Sequence, residues 1–149
     1  METHRLLIGS VGDDIHSVGM SLLTLAFREA GLVVENLGIS NDLDDFFFQA
    51  HRYDAIFISC LNGHVDLYLE TFPWKLKHFS LCNDEPRLWY LGGNLSVNGN
   101  AGSVVRKYRQ MGFDFVAPKP LDWRQILERL NRDFHNRGIE PKALNSDFA

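Results

Sequence analysis

Five short apolar runs alternate with five stretches of helical period, and that alternation restricts the fold more than any other feature of the chain. The runs cover residues 5–9, 32–38, 53–59, 87–91 and 113–117. The central one, Tyr53-Asp54-Ala55-Ile56-Phe57-Ile58-Ser59, is nearly continuously apolar, as a strand covered on both faces must be. The first helical stretch, 18–30, carries Val18, Leu22, Leu25 and Ala26 on its apolar side and meets Gly31 where a C-cap glycine belongs. Asn41 or Asp42 caps a second helix that runs through Phe46, Phe47 and Ala50 to Arg52. A third lies within 64–79, where Pro73 would kink a helix that contained it. The fourth covers 103–111 before Gly112, and the fifth follows Asp122, from Trp123 to Phe134. Strands joined by helices pair in parallel, and right-handed crossovers place helices on both faces of the sheet. The expected architecture is one flavodoxin-like (Rossmann-like) α/β domain, doubly wound, with five parallel strands in the order 2-1-3-4-5. Residues 1–135 form that domain, and 136–149 are expected to be a mobile C-terminal extension.

A chain of 149 residues buries enough surface to fold without a disulfide or metal staple. Its formal charge of −4 gives no basic field for nucleic acid. No apolar stretch reaches eighteen residues, and a strand-like run begins at Arg5, so neither a membrane span nor a leader is expected. Cys60 and Cys82 lack a CxxC spacing and read as reduced thiols, with Cys60 buried in its apolar run. A cytoplasmic location follows as the expectation.

In the 2-1-3-4-5 order, the loops after strands 1, 3 and 4 meet along the carboxyl edge, where open α/β sheets bind their ligands. The first loop holds Asp14-Ile15-His16-Ser17-Val18-Gly19, the second follows Ser59-Cys60-Leu61, and the third holds Gly92-Gly93-Asn94. Taken alone, D-x-H-x-x-G is a weak motif, Ser59 suits a helix cap, and Gly92-Gly93 suits a turn. Their succession after three strands that end on one sheet edge gives them weight.

This succession resembles the cobalamin-binding domain of adenosylcobalamin-dependent mutases and corrinoid methyltransferases, whose pattern is D-x-H-x-x-G, then S-x-L, then G-G. Within that family the chain is most similar to the small subunits of glutamate mutase (methylaspartate mutase), and the likeness covers residues 5–130. The resemblance implies that His16 ligates the cobalt of cobalamin and that Asp14 takes the proton on the other imidazole nitrogen, fixing the tautomer and raising ligand basicity. It further implies that Gly19 lets the backbone pass close to the corrin and that Ser59 and Leu61 meet the cofactor's nucleotide tail. Gly92 and Gly93 would leave room where that tail descends between strands and helices, and Asn94 would also contact the cofactor. No residue of this chain is implied to be catalytic. The implied role is the cofactor subunit of a radical carbon-skeleton isomerase that interconverts glutamate and 3-methylaspartate or a relative. A larger barrel-type subunit would supply the substrate pocket, with adenosylcobalamin as cofactor.

Some residues depart from the pattern. Asn62-Gly63-His64 follows Leu61, the segment through Asp84 is unusually aromatic, and Pro118-Lys119-Pro120 stands where such subunits tend to have a glycine near the tail pocket. These departures leave the substrate and the partner's identity open. His64 follows Leu61 closely and reads as an exposed surface histidine, with a second ligand role as the alternative, whereas His4, His51, His78 and His135 show no ligand spacing. Phe46-Phe47-Phe48 reads as core with one exposed face. Two other functions compete: a corrinoid carrier or cobalamin-dependent sensor without catalysis, and a flavodoxin-like receiver, which Asp13, Asp14 and Lys119 mimic loosely.

Overall fold

The computed structural model describes residues 3–12, 18–60, 65–95 and 100–142. Strands β1 (Arg5–Ser10), β2 (Val33–Asn36), β3 (Ala55–Cys60), β4 (Leu88–Gly93) and β5 (Phe115–Val116) form one sheet in the order β2-β1-β3-β4-β5. All four pairings are parallel. The helices are α1 (Val18–Glu29), α2 (Leu43–Gln49), α3 (Val65–Leu69), α4 (Phe72–Cys82), α5 (Ala101–Met111) and α6 (Trp123–Asn136), with a 3-10 turn at Ala50–Arg52 after α2. The expected architecture and strand order are the ones observed.

Period-two alternation splits the central strands between two cores. Leu6, Ile8, Ala55, Phe57, Leu88 and Tyr90 face α1 and α6, meeting Met20, Phe27, Ile126, Leu130 and Phe134. Leu7, Ile56, Ile58, Trp89 and Leu91 face the opposite way, against Leu43, Phe46, Phe72, Tyr108 and Phe113. Much of the second core is aromatic: the Phe47 ring lies 4.7 Å from Trp89, and Phe72 stacks on Phe113 at 4.0 Å. Phe46 is buried and Phe48 is exposed, so the Phe46-Phe47-Phe48 run serves both core and surface.

Helix ends follow local chemistry. Asp42 forms a capping box with Asp45, and Asp122 forms one with Gln125. Asn100, which the helical period does not single out, caps α5 by accepting from Ser103 N at 2.8 Å and starts that helix two residues before the expected 103. Gly112 closes α5 at φ +122°, a conformation that residues with a Cβ rarely adopt.

Three expectations need correction. The single helix predicted within 64–79 is two helices, and Pro73 lies in the first turn of α4, where its missing N–H and fixed φ favour a helix start. In α1 the face toward the sheet is Met20, Leu23, Thr24 and Phe27, an i, i+3, i+4, i+7 stripe, whereas Leu22 and Leu25 are exposed. Thr24 belongs on the buried stripe because its hydroxyl donates to Met20 O at 2.9 Å and accepts from Asn36 Nδ2 at 3.2 Å. The third correction concerns the boundary at 135, since ordered packing continues past it. Ile139 is buried against the α1–α6 core, its carbonyl is 2.8 Å from His4 Nε2, and Lys142 pairs with Glu85 at 2.9 Å. Residues 143–149 lie outside the described residues. Among the described residues, no helix is long and apolar enough to cross a membrane.

Candidate functional site

At the carboxyl edge, the residues facing α1 and α6 change abruptly in size. Ile8, Phe57 and Tyr90 stand side by side in register, and the next row on the same face is Ser10, Ser59 and Gly92. Replacing large side chains by small ones removes bulk between the helices just where the strands end. The result is a groove of about 370 Å³. Gly19, Leu22 and Leu23 of α1 form one wall, Phe57, Ser59, Gly92 and Gly93 the floor, and Lys119, Leu121, Trp123 and Ile126 the opposite wall.

The floor is held by backbone geometry. Gly93 has φ +126°, and a Cβ there would lie 2.1 Å from the carbonyl oxygen of Cys60, so only glycine lets β4 turn against the end of β3. A Cβ on Gly92 would lie 2.7 Å from Phe57 Cζ. Both glycines therefore answer first to neighbours within the chain, in addition to leaving room in the groove. Gly19 is exposed with nothing within 4 Å of an added Cβ, so its surface is free for close approach. Ser59 is half-buried and Asn94 exposed.

Hydrogen bonds fix the end of β1. Val11 N donates to Ser59 O and Gly12 N to Asn41 O, both at 3.0 Å, while Asn41 Nδ2 donates to Ser10 O at 3.1 Å. Gly12, at φ +77°, is also overlain by the Tyr68 ring, which would stand 2.3 Å from a Cβ there. On the other face of the sheet, Asp66 of α3 accepts from Tyr108 Oη and Lys107 Nζ, each at 2.6 Å, which ties α3 to α5. These bonds hold the Asp66 carboxyl below the usual carboxylate range, while burial pushes the Tyr108 phenol up.

Of the residues singled out from sequence, Gly19, Ser59, Gly92 and Gly93 converge on the groove. Asn94 follows Gly93 at its edge but is not in its lining. Asp13, Asp14, His16, Leu61 and the Asn62-Gly63-His64 segment lie outside the described residues. Lys119, noted as a departure and as one of the receiver-like residues, and Pro120, noted as a departure, belong to the wall. Leu22, Leu23, Phe57, Trp123 and Ile126 went unrecognised. Two signals point to them: Phe57 sits two residues before Ser59 on one strand, and Trp123 and Ile126 are three apart on the first turn of α6.

No family model matches the chain. Glutamate mutase sigma subunit 2 of Haloarcula marismortui is 31% identical over 138 residues, 91% of this chain and 90% of that protein. The glutamate mutase sigma subunit of Carboxydothermus hydrogenoformans is 32% identical over 136 residues, 89% of this chain and 97% of that protein. The chain belongs to the glutamate mutase sigma subunit family. Among solved structures, a cobalamin-binding protein from Desulfitobacterium hafniense superposes with a TM-score of 0.64 at 18% identity, covering 88% of this chain and 59% of that one. The monomethylamine corrinoid protein of Methanosarcina barkeri gives a TM-score of 0.61 at 15% identity, covering 85% of this chain and 57% of that one. Those two share the sigma-type fold and are longer proteins.

Proposed function

We propose that this sigma-family chain is the cobalamin-binding subunit of an adenosylcobalamin-dependent carbon-skeleton mutase of the glutamate mutase type, working in the cytosol with a larger barrel-type catalytic subunit. One observation carries the reading. The row Ser10, Ser59 and Gly92 opens a groove between α1 and α6 beside the end of β1, and the D-x-H-x-x-G segment begins two residues after Gly12.

The residues present suit the cofactor's nucleotide tail. Its flat base needs a slot with apolar walls, which Leu23, Phe57, Trp123 and Ile126 provide, and a donor for its ring nitrogen, which the Ser59 hydroxyl provides. In this assignment His16 would ligate the cobalt, Asp14 would orient its ring, and Leu61 would border the tail. Gly19, Gly92 and Gly93 would keep side-chain bulk away from the corrin and tail, and Asn94 would border the cofactor at the groove's edge. When bound, adenosylcobalamin supplies the radical chemistry. The chain's own residues bind, orient and shield. The reduced thiols of Cys60 and Cys82 suit a reducing cytosol.

Titration of the purified chain with adenosylcobalamin, followed by its visible spectrum, tests the assignment. Saturable binding with displacement of the cofactor's own base, a displacement lost in His16→Ala, is the expected result. An unchanged spectrum at saturating cofactor would overturn it.

A further inference from the structure

We infer that a cavity at the amino edge of the sheet, at the opposite end from the groove, is a second binding site, which takes a free α-amino acid by its carboxylate and its ammonium. The cavity measures about 700 Å³ and lies between the connection from α4 to β4, residues 82–87, and the segment 138–142 after α6. Its charges are sorted by depth. Arg87, 9% exposed, and Lys142, whose side chain is 8% exposed, line it from buried positions, and Asp84, Glu85 and Glu140 line it from exposed ones. A cationic floor beneath an acidic rim is complementary to a ligand with both charges on one carbon. A simple anion meets repulsion at the rim, and a simple cation meets it at the floor.

The two cations keep donor capacity in hand. Lys142 Nζ donates to Glu85 Oε2 at 2.9 Å, and its other carboxylate neighbour, Asp54 Oδ1, stands 3.9 Å away, beyond hydrogen-bond reach for an ammonium with three donors. Arg87 Nη1 donates to Ala50 O at 2.7 Å, while its buried Nε has no partner among the described residues. Two buried cations thus face one buried carboxylate, that of Asp54. Burial pushes the Asp54 carboxyl above its ordinary range and pulls the Arg87 guanidinium below its own, as expected where charge is incompletely compensated. A ligand carboxylate laid on this floor supplies the missing charge through strong, charge-assisted bonds. Ile139, Pro86 and Pro141 add hydrocarbon surface that suits an uncharged side chain, whereas an acidic side chain would meet the rim.

The test titrates the intact chain with L-leucine and follows backbone amide resonances by NMR. Amides of 82–87 and 138–142 should shift saturably. Two analogues, 4-methylpentanoate, which lacks the ammonium, and 3-methylbutylamine, which lacks the carboxylate, should each bind at least about tenfold more weakly, as loss of a charged hydrogen-bonding group implies. L-glutamate should also bind more weakly than L-leucine. Glu140→Gln, at an exposed position where the fold is not at stake, should weaken L-leucine binding and leave 4-methylpentanoate binding undiminished. Lys142→Gln should weaken L-leucine and 4-methylpentanoate together. Absence of saturable shifts in the two segments, an analogue or L-glutamate that binds as tightly as L-leucine, or L-leucine affinity indifferent to Glu140→Gln would overturn the inference.

Discussion

The ring of Phe57 occupies the space that a side chain on Gly92 would need, with Cζ 2.7 Å from the position of an added Cβ. Phe57 is buried against Tyr90, so the ring has little freedom to yield. Gly92→Ala should therefore destabilise the chain by about 1–3 kcal/mol, the usual range for overpacking a tight core. Gly93→Ala should cost more, because its backbone lies at positive φ and the obstacle is the Cys60 carbonyl, which cannot rotate away. Urea unfolding midpoints should fall in the order wild type, Gly92→Ala, Gly93→Ala; the reverse order for the two variants would contradict this reading of the floor.

The sheet was legible because it is parallel and covered on both faces, so β1, β3 and β4 read as apolar runs with little to imitate them. The orientation of α1 was not. Leu22 and Leu25 are apolar yet exposed, whereas Thr24 is polar yet buried through two hydrogen bonds, and periodicity counts only hydrophobicity. At the site, Ser59, Gly92 and Gly93 were legible from motif and strand position. The wall from Lys119 to Ile126 was not, since its contribution depends on β5 lying beside β4 and on where α6 then starts. Docking of Ile139 was equally invisible, because one isoleucine in a polar stretch carries no period.

Asp54 should give the fold a distinctive pH dependence. Its carboxylate is buried and accepts from Arg5 N at 2.8 Å, and burial pushes its pKa above the ordinary value of 3.8 despite nearby Lys142. The folded chain then holds this proton to higher pH than the unfolded chain. The stabilisation linked to Asp54 is complete below 3.8 and falls as pH rises through the raised folded value. Asp54→Asn keeps an acceptor for Arg5 N and removes the titration. The stability of wild type minus that of Asp54→Asn should decline as pH rises above about 4 and then level off, as measured by chemical denaturation across pH. A flat or rising difference would contradict the burial argument.

The docked segment after α6 should be a structural part of the domain. Ile139 packs on the α1–α6 core, and His4 stacks on Phe134 at 3.9 Å beneath it. Ile139→Ala should lower stability by about 2–5 kcal/mol, as expected for truncating a buried isoleucine. A loss below about 0.5 kcal/mol, the scale of surface substitutions, would show that the segment does not contribute to the fold.

Cofactor binding and turnover should separate. In the proposed assignment the groove residues hold the cofactor's tail, and the larger subunit supplies the substrate pocket. Radical chemistry also needs an enclosed site that shields reactive species from side reactions. The purified chain with adenosylcobalamin and glutamate should form no 3-methylaspartate until a large mutase subunit is added. Adding that subunit should also tighten cofactor affinity, because the two binding events are linked. Appreciable turnover by this chain alone would contradict the two-component account.

Replacing Asp14, the proposed orienting partner, should weaken cofactor affinity by about 10–100-fold, whereas loss of His16 should abolish the cobalt–histidine bond altogether. The most direct measurement is electron paramagnetic resonance of the cob(II)alamin complex, prepared with unlabelled chain and with chain carrying 15N-histidine. The account predicts superhyperfine splitting from one axial nitrogen that changes on histidine labelling and disappears in His16→Ala. Splitting that is indifferent to the label, or that persists in His16→Ala, would contradict it.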